Sequence, residues 1–142
     1  MLVDIVSKNG NLLLDIGPEA DGTIPAVQLG RLKILGQWMV QNGEAIYGTR
    51  PWNRAEGETT GGIPVRFTSK GPQVYAVLLG IPKSGSVTRT SVRPNEGSEI
   101  YLLGYTRPLA WRQQGEDVQI DLPSAPAGEY ALALRFTGGG KP

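Results

Sequence analysis

At 142 residues, the chain has the length of one domain, or of one domain with a further piece attached. An apolar fraction of 39% and a charged fraction of 19% are ordinary for a globular protein and exclude wholesale disorder. With 14 basic and 13 acidic residues scattered along it, the chain offers no concentrated field to a polyanion, so no nucleic-acid partner is expected. Apolar runs such as 12–14 and 74–79 fall far short of the roughly 20 residues that cross a bilayer, so no membrane partner is expected either.

Cysteine and histidine are both absent. Disulfides, thiolate metal sites and a cysteine nucleophile are thereby excluded, as is a Ser-His-Asp triad within one copy. A hydroxyl nucleophile would need a Lys or carboxylate base. No cofactor or metal is expected, and no loop has the ligand spacing of an EF-hand. The opening Met1-Leu2-Val3-Asp4-Ile5-Val6 has neither a basic n-region nor a long apolar stretch, so it is not read as a signal peptide. It reads as a start inside a larger protein, and the compartment is left open.

In chain order, Leu12-Leu13-Leu14-Asp15-Ile16 is short and continuously apolar between Lys8-Asn9-Gly10-Asn11 and Gly17-Pro18. This pattern predicts a strand buried on both faces, as in a parallel sheet. After a turn at Asp21-Gly22-Thr23, Pro25 suits a first helical turn. Leu29, Leu32, Leu35, Trp38 and Met39 then recur at helical spacing, predicting an amphipathic helix over 25–41 capped by Asn42-Gly43. A single β/α unit cannot enclose a core, so the face Leu29, Leu32, Leu35 and Trp38 is expected to pack on the chain's own sheets or to self-associate.

The stretch 43–62 shows neither periodicity and reads as a boundary. Beyond it, short runs at 65–68, 74–79, 86–91, 100–103, 109–112, 118–122 and 130–136 alternate with Gly, Pro, Ser and Asn. Such spacing predicts an antiparallel sandwich or barrel. The Gly-rich tail 138–142 is expected to be loose.

Two stretches carry a resemblance. One runs from Asp4 through Lys8-Asn9-Gly10-Asn11-Leu12-Leu13-Leu14-Asp15-Ile16-Gly17-Pro18 to Asp21-Gly22-Thr23-Ile24-Pro25. The other is Asn42-Gly43-Glu44-Ala45-Ile46-Tyr47-Gly48-Thr49-Arg50-Pro51-Trp52. Together they closely resemble the C-terminal portion of the α-L-fucosidases, a family of retaining glycoside hydrolases, and Glu129-Tyr130-Ala131-Leu132-Ala133-Leu134 is similar to the family's last strand. The resemblance implies a mainly β fold, an antiparallel β-sandwich preceded by a β/α remnant of a (β/α)8-like barrel. Residues 1–45 would be the barrel's terminal strand and helix, 46–62 a linker and 63–142 the sandwich. It also implies that the nucleophile and the fucose-gripping histidines lie upstream of the matching segment, so no catalytic residue is assigned here and the chain alone is expected to be inactive on fucosides. Its expected partner is the parent enzyme's barrel, or a second copy through the helix face, with a fucosylated glycan as a further candidate. The family usually has Asn where this chain has Asp15, a change from a donor-acceptor to an acceptor, read here as a structural adjustment.

Each candidate site has a functional and a structural reading. Arg50 could grip an anion and Trp52 stack on a pyranose; structurally, Trp52 would seal the joint between barrel and sandwich and Arg50 pair with Glu44 or Glu56. The pairs Glu56/Glu58 and Glu116/Asp117 could split their pKa values into acid and base, but read better as solvated surface. Lys83-Ser84-Gly85-Ser86 is the most suggestive of the sites for the chain's seven serines, yet reads better as a turn than as a Ser-Lys dyad. Trp111, Tyr101, Tyr105 and Tyr130 are either core or carbohydrate-facing, since strand register is not fixed at this level. The rival functions are a carbohydrate-binding module and an esterase-like fragment using a Ser nucleophile without His.

Overall fold

The computed structural model describes residues 1–83, 85–89, 92–124 and 130–137. Two helices come first, α1 (Leu2–Ser7) and α2 (Ala26–Asn42), followed by a 3-10 turn (Gly43–Ala45). Eight strands follow: β1 (Arg50–Glu58), β2 (Pro64–Lys70), β3 (Gln73–Leu78), β4 (Ser86–Arg89), β5 (Ile100–Leu102), β6 (Trp111–Gln114), β7 (Asp117–Asp121) and β8 (Leu132–Thr137). They form a five-stranded sheet in the order β1-β2-β3-β8-β5 and a three-stranded sheet in the order β4-β7-β6, with every pairing antiparallel. The expected mainly β, antiparallel sandwich is the fold.

The two sheets pack through Val65, Phe67, Val74, Ala76, Leu78, Ile100, Leu102, Leu132, Leu134 and Phe136 on one side and Val87, Val118 and Ile120 on the other. Burying each large apolar side chain contributes about 1.5–3 kcal/mol, so this layer supplies the main driving force. The other face of the large sheet carries a second cluster, where Tyr75, Val77 and Ala133 meet Val3 of α1, Ala45 and Ile46, with Trp38 and Met39 of α2 alongside. β3 is apolar at every position from Val74 to Leu78 because successive side chains point to opposite faces and both faces are covered. The small sheet has one wet face, and β6 accordingly reads Trp111-Arg112-Gln113-Gln114, with Trp111 packed inward.

The N-terminal region departs from expectation. Residues 12–16 form no strand, and Leu13 is 94% exposed. A continuously apolar strand is stabilised only by ladders and cover on both sides, and neither sheet pairs with this segment. The helical turn α1, unforeseen in the sequence, instead puts Val3 into the second cluster. Helix α2 lies where the spacing placed it but is not cleanly amphipathic: Val27, Ile34 and Val40 are exposed as well as Leu29. Asn42-Gly43 ends it without a left-handed cap, since Gly43 has φ −58° and the chain runs straight on into the 3-10 turn. The first left-handed residue after the helix is Gly48, at φ 69°.

The expected linker 46–62 contains β1. Its alternation is hidden by a register shift between Pro51 and Glu56 and by side chains that are mostly half-exposed and polar. The run expected at 109–112 is displaced: Leu109 makes an isolated bridge to Ile100, and the strand itself starts at Trp111. Residues 90 and 91 of the run 86–91, Ser84, Glu129 and the tail 138–142 lie outside the described residues. No described helix is long and apolar enough to cross a membrane.

Candidate functional site

The outer face of the large sheet brings together two clusters of charged side chains. Cross-strand pairing aligns Tyr101 with Arg135, Arg135 with Tyr75 and Tyr75 with Thr68, a polar row across four strands. The 3-10 turn sits over it. Glu44 accepts hydrogen bonds from the Tyr75 hydroxyl at 2.9 Å and from Arg135 Nη1 at 3.0 Å, while the buried Thr68 hydroxyl donates to the Ala45 carbonyl at 2.7 Å. Arg135 also lies over the Tyr101 ring, 4.9 Å from its centroid, and Tyr101 donates to Glu99 at 2.6 Å.

Burial pushes the Glu44 carboxyl up, but the bonds from Arg135 and Tyr75 outweigh it and leave the group below its ordinary value. The Tyr75 phenol is pushed up to about 12, first by burial and then by donation to Glu44.

A second charged cluster ties α1 to β1 and β2. Arg66 donates from Nε to Asp4, and Lys8 bridges Asp4 at 3.2 Å and Glu56 at 2.6 Å. The hydrogen bond from Arg66 chiefly, then that from Lys8, holds Asp4 below the usual carboxylate range. The bond from Lys8 does the same for Glu56. All three clustered carboxylates are therefore held ionised, which suits ion pairing and not proton donation. Among the described residues, no three His, Cys, Asp or Glu side chains converge as metal ligands.

Beside these clusters, α1, α2 and the ends of β3 and β8 enclose an apolar groove of about 490 Å³ whose walls include Leu2, Ile34, Leu35, Trp38, Leu79 and Tyr130. Trp38 fixes α2 there by donating from Nε1 to the Ala131 carbonyl at 3.1 Å.

A family model for α-L-fucosidase matches residues 1–44, and one for the α-L-fucosidase C-terminal domain matches residues 59–137. The chain belongs to the α-L-fucosidase family. It is 36% identical over 143 aligned residues to an α-L-fucosidase of Branchiostoma floridae, covering 97% of this chain and 31% of that protein. It is 38% identical over 143 aligned residues to the tissue α-L-fucosidase of Homo sapiens, covering 96% of this chain and 30% of that protein. The crystal structure of Thermotoga maritima α-fucosidase superposes with a TM-score of 0.86 at 34% identity, over 95% of this chain and 32% of that one. The chain thus spans less than a third of the length of these relatives and corresponds to the C-terminal portion of the α-L-fucosidase family.

Within this fucosidase portion, the sequence-derived candidates separate clearly. Trp52 packs against the core, 5.0 Å from the Phe67 ring, with the Arg54 guanidinium over both rings. It is not an exposed stacking platform. Arg50 is exposed at the start of β1, and neither expected carboxylate pairs with it, because Glu44 is taken by Arg135 and Glu56 by Lys8 and Arg66. Glu58 is exposed near Gly62, and Glu116 meets Arg93 at 3.5 Å in an exposed pair next to Asp117. Lys83 is exposed, Asp15 is exposed in the unpaired segment, and Trp111 and Tyr105 pack on the core. Trp111 donates to the Ser98 carbonyl at 3.0 Å. Tyr101 and Tyr130 face outward.

Tyr75 and Arg135 were missed as site residues, although each left a trace. A lone tyrosine in the apolar run 74–79 and a lone arginine in the apolar run ending at Phe136 both require a buried or cross-sheet partner.

Proposed function

We propose that this chain is the closing portion of an α-L-fucosidase-type glycoside hydrolase, bracing a catalytic barrel and lacking the nucleophile itself. The observation that carries the reading is the incompletely covered helical side of the molecule. Leu13, Val27, Ile34 and Val40 are exposed in this N-terminal region and Ile34 also lines the apolar groove, while the sandwich core is complete. An open apolar groove with exposed apolar side chains in the same region marks an interface. The unpaired apolar segment 12–16 suits a strand that pairs with barrel neighbours.

Retaining hydrolysis needs two carboxyl groups about 5–5.5 Å apart, one of them able to hold a proton near neutral pH. The carboxylates gathered here are held ionised by Arg and Lys, which supports a supporting role over a catalytic one. The inward-turned Trp52 and Trp111 weigh against a binding module built on exposed tryptophans.

The test is turnover of an activated aryl fucoside, and in parallel an aryl ester, by the purified chain. No turnover of either is expected. Fucoside cleavage would overturn the reading, and ester cleavage abolished by a single Ser→Ala replacement would establish the esterase-like alternative.

A further inference from the structure

The polar row on the large sheet opens, at the β5–β8 edge, into a second groove remote from the apolar one. Its volume is about 780 Å³, and its walls include Gln73, Asn95, Glu99, Tyr101, Arg135 and Thr137. These side chains are exposed or half-exposed, so a ligand reaches them without rearrangement. Several are held in place before any ligand arrives. Gln73 and Thr137, cross-strand partners, are bonded to each other at 3.2 Å. The Tyr101 ring is pinned by Glu99 at its hydroxyl and by Arg135 on its face. Glu44 engages the Nη1 end of the Arg135 guanidinium, which fixes its plane and leaves other N–H groups directed elsewhere.

The chemistry of the walls selects a ligand class. Carboxylate and amide oxygens accept, while guanidinium, amide and hydroxyl groups donate, and an aromatic ring edge supplies apolar contact. Glu96 and Glu99 both border the groove, with Arg135 the cation opposite and already paired to Glu44, so an anionic ligand is disfavoured. A compact ligand rich in hydroxyl groups, each both donor and acceptor, matches this set. We infer that the β5–β8 groove is a binding site for a neutral saccharide, separate from the surface that braces the barrel. Pre-organisation by the Gln73–Thr137 and Arg135–Tyr101–Glu99 contacts lowers the ordering cost of binding. The walls come from β3, β5, β8 and the segment 95–99 that leads into β5, and no residue of α2 lines them.

The experiment is a titration of the full 15N-labelled chain with methyl α-L-fucoside, methyl β-D-galactoside and sodium sulfate, following backbone amide shifts. At least one neutral glycoside is expected to give saturable shifts centred on Gln73, Glu99, Tyr101, Arg135 and Thr137. Binding should weaken about tenfold in Glu99→Ala and in Gln73→Ala. Glu116→Ala, in the β6–β7 turn of the small sheet, should leave it unchanged. Unaltered spectra of the unliganded variants establish that they are folded, and the two groove variants lie on different segments, so the failure of one to fold leaves the other decisive. Absence of saturable shifts with either glycoside, shifts centred outside the groove, tighter binding of sulfate, or an affinity in both groove variants equal to that of the unsubstituted chain would overturn the inference.

Discussion

Tyr75 on β3 and Arg135 on β8 are directly paired across the sheet, and both bond to the Glu44 carboxylate, at 2.9 and 3.0 Å. One carboxylate thus fastens the 3-10 turn to the centre of the large sheet. Tyr75 is only 1% exposed, so removing its acceptor strands a buried hydroxyl. Glu44→Ala is expected to cost about 1–2 kcal/mol in urea unfolding, and Tyr75→Phe less, because it removes the donor and its need together. A double-mutant cycle should show coupling between the two positions.

The same pair sets opposite pH limits. The Glu44, Asp4 and Glu56 carboxyls are depressed in the folded chain, so the unfolded chain binds more protons as pH falls. Their contribution is present above the ordinary carboxylate range and is lost as pH drops below about 4.5 towards the folded values. The Tyr75 phenol is raised from 10.0 to about 12, so its contribution is present below pH 10 and disappears as pH rises to about 12. The melting temperature is expected to fall at both extremes, and Tyr75→Phe should flatten the alkaline limb and, by removing one of the bonds that depress Glu44, soften the acid limb as well.

The Lys8–Glu56 pair is more exposed than the Glu44–Arg135 pair, at 48% and 53% against 42% and 32%. Lys8→Ala is expected to lower the melting temperature less than Glu44→Ala does. Its effect should shrink in molar salt, where the screening length falls to about 3 Å. Retention of the full effect in high salt would mean that α1 is held by packing through Val3 and not by these charges.

Leucines in this chain should differ by their layer. Leu78→Ala, in the sandwich core, is expected to cost about 2–5 kcal/mol. Leu13→Ser should cost nothing measurable and should reduce self-association in sedimentation velocity, since Leu13 is 94% exposed.

Gly104 has φ 90°, and a Cβ there would meet the Gln41 side chain at 2.6 Å, displacing the bond from Gln41 to the Leu103 carbonyl. Gly104→Ala is expected to cost about 1 kcal/mol or more. Gly71→Asn, at φ 55° in open space, should cost much less, since asparagine tolerates the left-handed region. Equal losses in Gly104→Ala and Gly71→Ala would assign the cost to backbone strain and not to the Gln41 contact.

The amino-acid pattern by itself determined the sandwich, the position of α2 and the resemblance carried by residues 4–25 and 42–52, because period-2 and helical spacing and dense local motifs are properties of the chain read in order. It did not determine β1, where the shift between Pro51 and Glu56 breaks the alternation that marks a strand. Nor did it determine the fate of 12–16, because an apolar strand becomes one only where a sheet offers it neighbours. Only the tertiary structure decided that Trp52 turns into the core, that Glu44 serves Tyr75 and Arg135 and leaves Arg50 without it, and that Tyr101 borders an open groove. Those outcomes depend on register and on which strands become neighbours, and residues as far apart as Glu44 and Arg135 meet only once the sheet has been assembled.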